Sequence, residues 1–132
     1  MRTRTVASAL FLSIILGATA SYAKSQSLIG SWRGGGVVQP KDGAREKTRC
    51  RAEIQKSPGR CLYHAVYRCS SPLGLISQTV DIKKKSTTRY VGTFYNPQYN
   101  VKGTFSITLQ GNRHSVVMKS SRGEGWIDFS RK

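Results

Sequence analysis

From Tyr99 to Gln110 the chain alternates without a break. Tyr99, Val101, Gly103, Phe105, Ile107 and Leu109 fall on one face, and Asn100, Lys102, Thr104, Ser106, Thr108 and Gln110 on the other. Period two over that length is a β-strand with one dry and one wet face. Shorter alternating stretches flank it, broken by turn signals: Pro40-Lys41-Asp42-Gly43, Ser57-Pro58-Gly59-Arg60, Ser70-Ser71-Pro72-Leu73-Gly74, Asn96-Pro97, Gly111-Asn112 and Arg122-Gly123-Glu124-Gly125. The pattern predicts strands over 31–39, 46–56, 61–69, 75–83, 88–95, 99–109, 113–119 and 126–131. No helical period and no internal repeat is present beyond the first two dozen residues.

Eight short strands with short connections fit an all-β, antiparallel up-and-down meander that closes into a small calycin-like barrel, with a sandwich or an open barrel as the alternative. The expected interior is Trp32, Val38, Ala52, Ile54, Tyr63, Tyr67, Ile76, Val80, Phe94, Val101, Phe105, Ile107, Leu109, Val116, Met118, Ile127 and Phe129. Gly34, Gly36, Gly92 and Gly103 fit points of tight coiling. An eight-stranded barrel can be filled by side chains or hold one small molecule. The large aromatics expected inside favour filling.

The N-terminus changes the picture of the compartment. A cationic start, Met1-Arg2-Thr3-Arg4, precedes an apolar run over residues 6–20, and Ser21-Tyr22-Ala23 offers a cleavage site before Lys24. Ala18-Thr19-Ala20 offers a second. Residues 1–23 thus read as a secretory signal peptide and 24–132 as a single domain, exported, most simply to the periplasm. The 132-residue chain carries 22 Lys+Arg against 6 Asp+Glu, a formal net charge of +16. Removing residues 1–23 takes away Arg2 and Arg4 and no acid, leaving +14 on 109 residues. A hydrophobic content of 38% excludes a disordered chain. No apolar run after the N-terminus is long enough for a transmembrane helix.

Export favours a disulfide, and Cys50, Cys61 and Cys69 leave one cysteine over. A two-residue Gly59-Arg60 turn sets Cys50 directly opposite Cys69, where paired Cα atoms lie about 4.5–5.5 Å apart. A Pro58-Gly59 turn instead makes them diagonal neighbours at about 7–8 Å. Cys61 and Cys69 share one strand, and Cys50 and Cys61 do not face each other in this hairpin. Cys50–Cys69 with Cys61 free is the expected arrangement.

Gly30-Ser31-Trp32-Arg33-Gly34-Gly35-Gly36-Val37 has the form GxWxGxGx. It is followed by Arg49-Cys50-Arg51, Tyr67-Arg68-Cys69-Ser70, Val101-Lys102-Gly103 and Gly111-Asn112-Arg113-His114-Ser115-Val116. This order resembles a group of small secreted proteins of Gram-negative, alphaproteobacterial type, over nearly all of the exported chain. The resemblance implies an exported β-domain and supports the Cys50–Cys69 match. It implies no activity.

Catalytic patterns are scarce. The acids Asp42, Glu46, Glu53, Asp81, Glu124 and Asp128 are scattered, without the spacing of a carboxylate dyad. His64 and His114 are isolated, without metal-ligand spacing, and both read as surface strand positions. No GxSxG elbow is present. An enzyme, a metal and a cofactor are therefore not expected.

Charge is the stronger signal. Lys47, Arg49 and Arg51 share the outer face of one strand, about 6.7 Å apart in succession, and Arg51 stands across from Arg68. Lys83, Lys84 and Lys85 form a cationic tip, and Arg89, Lys102, Arg113 and Lys119 add outward charge. Such a surface fits anionic envelope polymers, namely lipopolysaccharide, acidic polysaccharide or peptidoglycan, with arginine giving bidentate contacts and lysine point charge. The bland alternative is charge that serves solubility alone. Nucleic acid would meet the same charge, but the compartment argues against it. A monomer is expected. The other functional class is an interaction module or an inhibitor of a host or envelope hydrolase, acting through residues 96–98 or 122–125. Tyr90, Tyr95 and Tyr99 fit either the charged surface or the core and rim.

Overall fold

The computed structural model describes residues 27–132 apart from Cys61 and Leu73. The signal-peptide reading over residues 1–23 and the free Cys61 lie outside these. Eight antiparallel strands follow one another: β1 (Gly30–Pro40), β2 (Glu46–Lys56), β3 (Leu62–Ser71), β4 (Gly74–Lys84), β5 (Arg89–Asn96), β6 (Val101–Gln110), β7 (Arg113–Ser120) and β8 (Gly123–Arg131). Each pairs with its sequence neighbours, and β1 pairs with β8, so the sheet closes into a barrel with no free edge. The expected meander is thus the fold, with small shifts of strand ends. The largest is at β8, which begins at Gly123 rather than Trp126.

Closure depends on the glycines of β1. A Cβ on Gly34 or Gly36 would strike the backbone of β8 at Asp128 and Trp126. Only hydrogen atoms fit where β1 coils against its closing partner. At Gly103 a Cβ would enter the ring of Phe94.

One end of the barrel is stoppered. Leu28 and Trp32 are fully buried there. The Trp32 indole Nε1–H donates to the Leu28 carbonyl at 2.9 Å. The Arg131 guanidinium lies 4.2 Å from the Trp32 ring centroid. Its nitrogens donate to the carbonyls of Ile29 at 2.8 Å and Ser27 at 2.6 Å. A cation stacked on an indole and bonded to two carbonyls latches the N-terminal segment across the barrel end.

Most of the expected interior is buried, with corrections near the other end. Val38, Tyr63 and Met118 are half-buried, and Ile76 is 37% exposed. These inward side chains, Tyr63 excepted, stand at the rim, where the barrel is not capped. The core also takes Leu28, Cys50, Ala65, Ile82 and Tyr90, and His114 is buried beside it. His114 was expected at the surface, yet it is 1% exposed. It shares strand parity with Val116 and Met118, which fixes it inward. Its ring stacks on Phe129 at 4.6 Å and meets the edge of Trp32 at 4.4 Å. Its Nε2 lies 3.3 Å from the Tyr67 hydroxyl. Burial, followed by the charge of Arg131, pulls its pKa down to about 3. Burial also pushes the Tyr67 hydroxyl well above its ordinary value.

Candidate functional site

The β2–β3 hairpin positions the basic face. Lys56 pairs with Tyr63, and the Ser57 amide donates to the Leu62 carbonyl at 3.1 Å. Gly59 in the connection has φ +113°, a backbone conformation that favours glycine. The register sets Cys50 opposite Cys69, and the two are bridged with Cα atoms 4.1 Å apart. Because Cys50 points inward, Lys47, Arg49 and Arg51 point outward and are exposed.

Arg51 stands beside Arg68 on one side and Arg33 on the other. Three exposed guanidinium groups thus form a row across β1, β2 and β3, on strands about 4.8 Å apart. No acid lies within ion-pair distance of them among the described residues. Glu53, two residues along β2 from Arg51, accepts a 2.6 Å hydrogen bond from the Ser31 hydroxyl. Ser77 continues the row beyond Arg68, and Ser130 continues it beyond Arg33. Above the row, Arg49 is flanked by Gly35 and Ser70. Glycine leaves a shallow outer depression there, bordered by Lys47, Arg49 and Ser70.

The structure does not bring the lysine tip into this patch. Lys83 lies six residues along β4 from Ser77, about 20 Å away along the strand. Lys83 and Lys85 border a separate hollow with Leu62 and Val91. Arg33, absent from the sequence-based patch, belongs to it. The signal for Arg33 is weak in sequence, since the five-residue connection 41–45 leaves the β1–β2 register open.

His64 is exposed and lies 3.2 Å from Asp81. Tyr90 is buried, whereas Tyr95 and Tyr99 are exposed at the uncapped end. The turn at Asn96 is braced by its own side chain, whose Oδ1 accepts from the amides of Gln98 at 3.0 Å and Tyr99 at 3.3 Å.

The uncapped end also holds a cavity of about 430 Å³. Seven of the eight strands contribute to it, all but β2. The filled-barrel expectation therefore describes the stoppered end and not this mouth.

No family model matches the chain, and no curated protein matches it in sequence. Among solved structures it is similar to a de novo designed fluorescence-activating β-barrel, with a TM-score of 0.61 and 18% identity over 82% of this chain and 96% of that one. A redesigned β-barrel bound to DFHBI gives a TM-score of 0.63 and 15% identity, covering 80% of this chain and 94% of that one. At these identities the likeness is one of fold: a small, closed, up-and-down β-barrel.

Proposed function

We propose that this is an exported, non-catalytic binding protein whose basic outer face takes anionic envelope polymers. The observation that carries the reading is the Arg33–Arg51–Arg68 row. Like charges directly opposite one another on a sheet cost stability. Among the described residues no acid forms an ion pair with them, Glu53 two residues along β2 offsets only part of the repulsion, and the flanking Ser77 and Ser130 are neutral hydrogen-bonding neighbours. An anion laid across the row would relieve the repulsion and receive paired N–H donors from each guanidinium. Lys47 and Arg49 extend the cationic track toward the mouth. The apolar N-terminal run and the Cys50–Cys69 bridge fit an oxidising compartment outside the cytoplasm.

The test compares the wild type with an Arg33→Ala, Arg51→Ala, Arg68→Ala variant on immobilised lipopolysaccharide and acidic polysaccharide. The three side chains are exposed, so the barrel stays intact. The variant is expected to bind at least tenfold more weakly. Equal retention would overturn the assignment. A second reading, docking to a protein partner through the mouth loops, is favoured by the braced Asn96 turn. Substitutions at Pro97 and Gln98 that abolish capture of an envelope hydrolase would support it.

A further inference from the structure

The mouth cavity is independent of the basic face, and its origin is readable ring by ring. At the stoppered end the inward positions carry Trp32, Ile54, Tyr90, Leu109 and Phe129, which fill the interior. At the mouth the inward positions Ser71, Ser120 and Gly123 are small and border the opening, whereas Phe94 and Met118 fill the space over Gly103 and Gly125. The same sheet that is packed solid below therefore opens to about 430 Å³ above, within the range of small-molecule sites. Val38, Ile76, Phe94, Val101 and Met118 give it apolar walls. Ile76 and Tyr99 remain 37% and 45% exposed at its lip.

The polar groups narrow the class of occupant. Gln78 projects from the wall, and its Oε1 is shut off from solvent with no hydrogen-bond partner among the described residues. A buried acceptor without a donor is destabilising, so a donor brought by a ligand would be rewarded there. Charge at the rim is balanced. Arg122 and Glu124 border the same opening, and Glu124 faces Lys119 across β7 and β8. Apart from Arg122 and Glu124 at the lip, the described lining residues are uncharged, so no net charge there selects an anion despite the cationic exterior.

We propose that the barrel mouth binds a small neutral molecule with an apolar body and one hydrogen-bond-donating head, such as a hydroxyl, which Gln78 receives. The body rests on Phe94, Val101 and Met118, and the head satisfies the Gln78 carbonyl. This site acts separately from the arginine row and needs no anionic polymer.

The protein without residues 1–23 is the material for the test, since all eight strands close within Gly30–Arg131. It is titrated with N-phenyl-1-naphthylamine, a neutral apolar amine with one N–H, and followed by fluorescence. Saturable one-to-one binding is expected, displaced by 1-octanol better than by octanoate. It should also be displaced better by 1-octanol than by 1-methoxyoctane, which cannot donate, by about 3-fold to 10-fold. Gln78→Leu should erase the preference for octanol over its methyl ether while probe binding persists. Ser120→Phe should fill the cavity and weaken the probe at least tenfold. If Ser120→Phe fails to fold, the Gln78→Leu comparison decides alone. The arginine triple variant should bind the probe as the wild type does. Non-saturable binding, stronger displacement by octanoate, or an unchanged octanol preference in Gln78→Leu would each overturn the proposal.

Discussion

His114 shows how one buried side chain ties stability to pH. In the folded barrel its pKa is lowered to about 3, against 6.5 for a free imidazole. Below pH 6.5 the unfolded chain takes up a proton that the native ring refuses. Its contribution to stability is therefore complete above pH 6.5 and is lost as pH falls toward 3. Urea unfolding is expected to lose up to about 1.4 kcal/mol per pH unit more in the wild type than in His114→Gln between pH 6 and pH 4. Parallel curves for the two proteins would show that the ring titrates normally. The parity that buries His114 was present in the sequence, two residues before Val116. Its surface assignment followed from treating histidine by type rather than by position. Gln78 is the opposite case, since an unpartnered amide atom depends on what surrounds it.

At the scale of the element, the β2–β3 hairpin carries most of what the sequence made legible. Gly59 in the turn fixed the register, the register set Cys50 opposite Cys69, and parity then turned the arginines outward. Breaking the bridge with Cys50→Ala and Cys69→Ala together is expected to cost about 3 kcal/mol by the loop-closure estimate, read as a lower unfolding midpoint. An equal loss from Cys61→Ser would contradict the pairing. The β1–β2 pairing was not legible, because its connection is long enough to allow several registers, and Arg33 was missed with it. The row it completes predicts a stability gain. Arg51→Thr removes the central like charge and places a β-branched residue on the strand. It is expected to raise stability by about 0.2–1 kcal/mol without ligand. A loss would mean that the three cations are already compensated in the free protein.

For the whole molecule, closure separates three regions that a linear reading merges. The stoppered end uses Trp32 and Arg131 for stability. The mouth is left apolar and open, and the outer face of β1–β3 carries a row of arginines with no ion-pair partner among the described residues. Alternation and short connections pointed to an antiparallel meander, with a barrel preferred over a sandwich, and to most of the side chains that face inward. The cavity is bordered by small residues on different strands, Ser71, Ser120 and Gly123, a relation fixed only by the stagger around the barrel. The lysine tip was grouped with the arginines by charge alone, and the length of β4 sets it apart.

The proposed anion site on the arginine row differs from general cationic character in its response to salt. General charge is screened at physiological salt, where the Debye length is about 8 Å, whereas paired guanidinium contacts persist. The direct measurement is a titration of the protein without residues 1–23 with purified lipopolysaccharide at low and at physiological salt. It is run beside the Arg33, Arg51, Arg68→Ala variant. Saturable binding by the wild type that survives physiological salt and is lost in the variant is expected. Binding that disappears with salt, or that the variant retains, would contradict it.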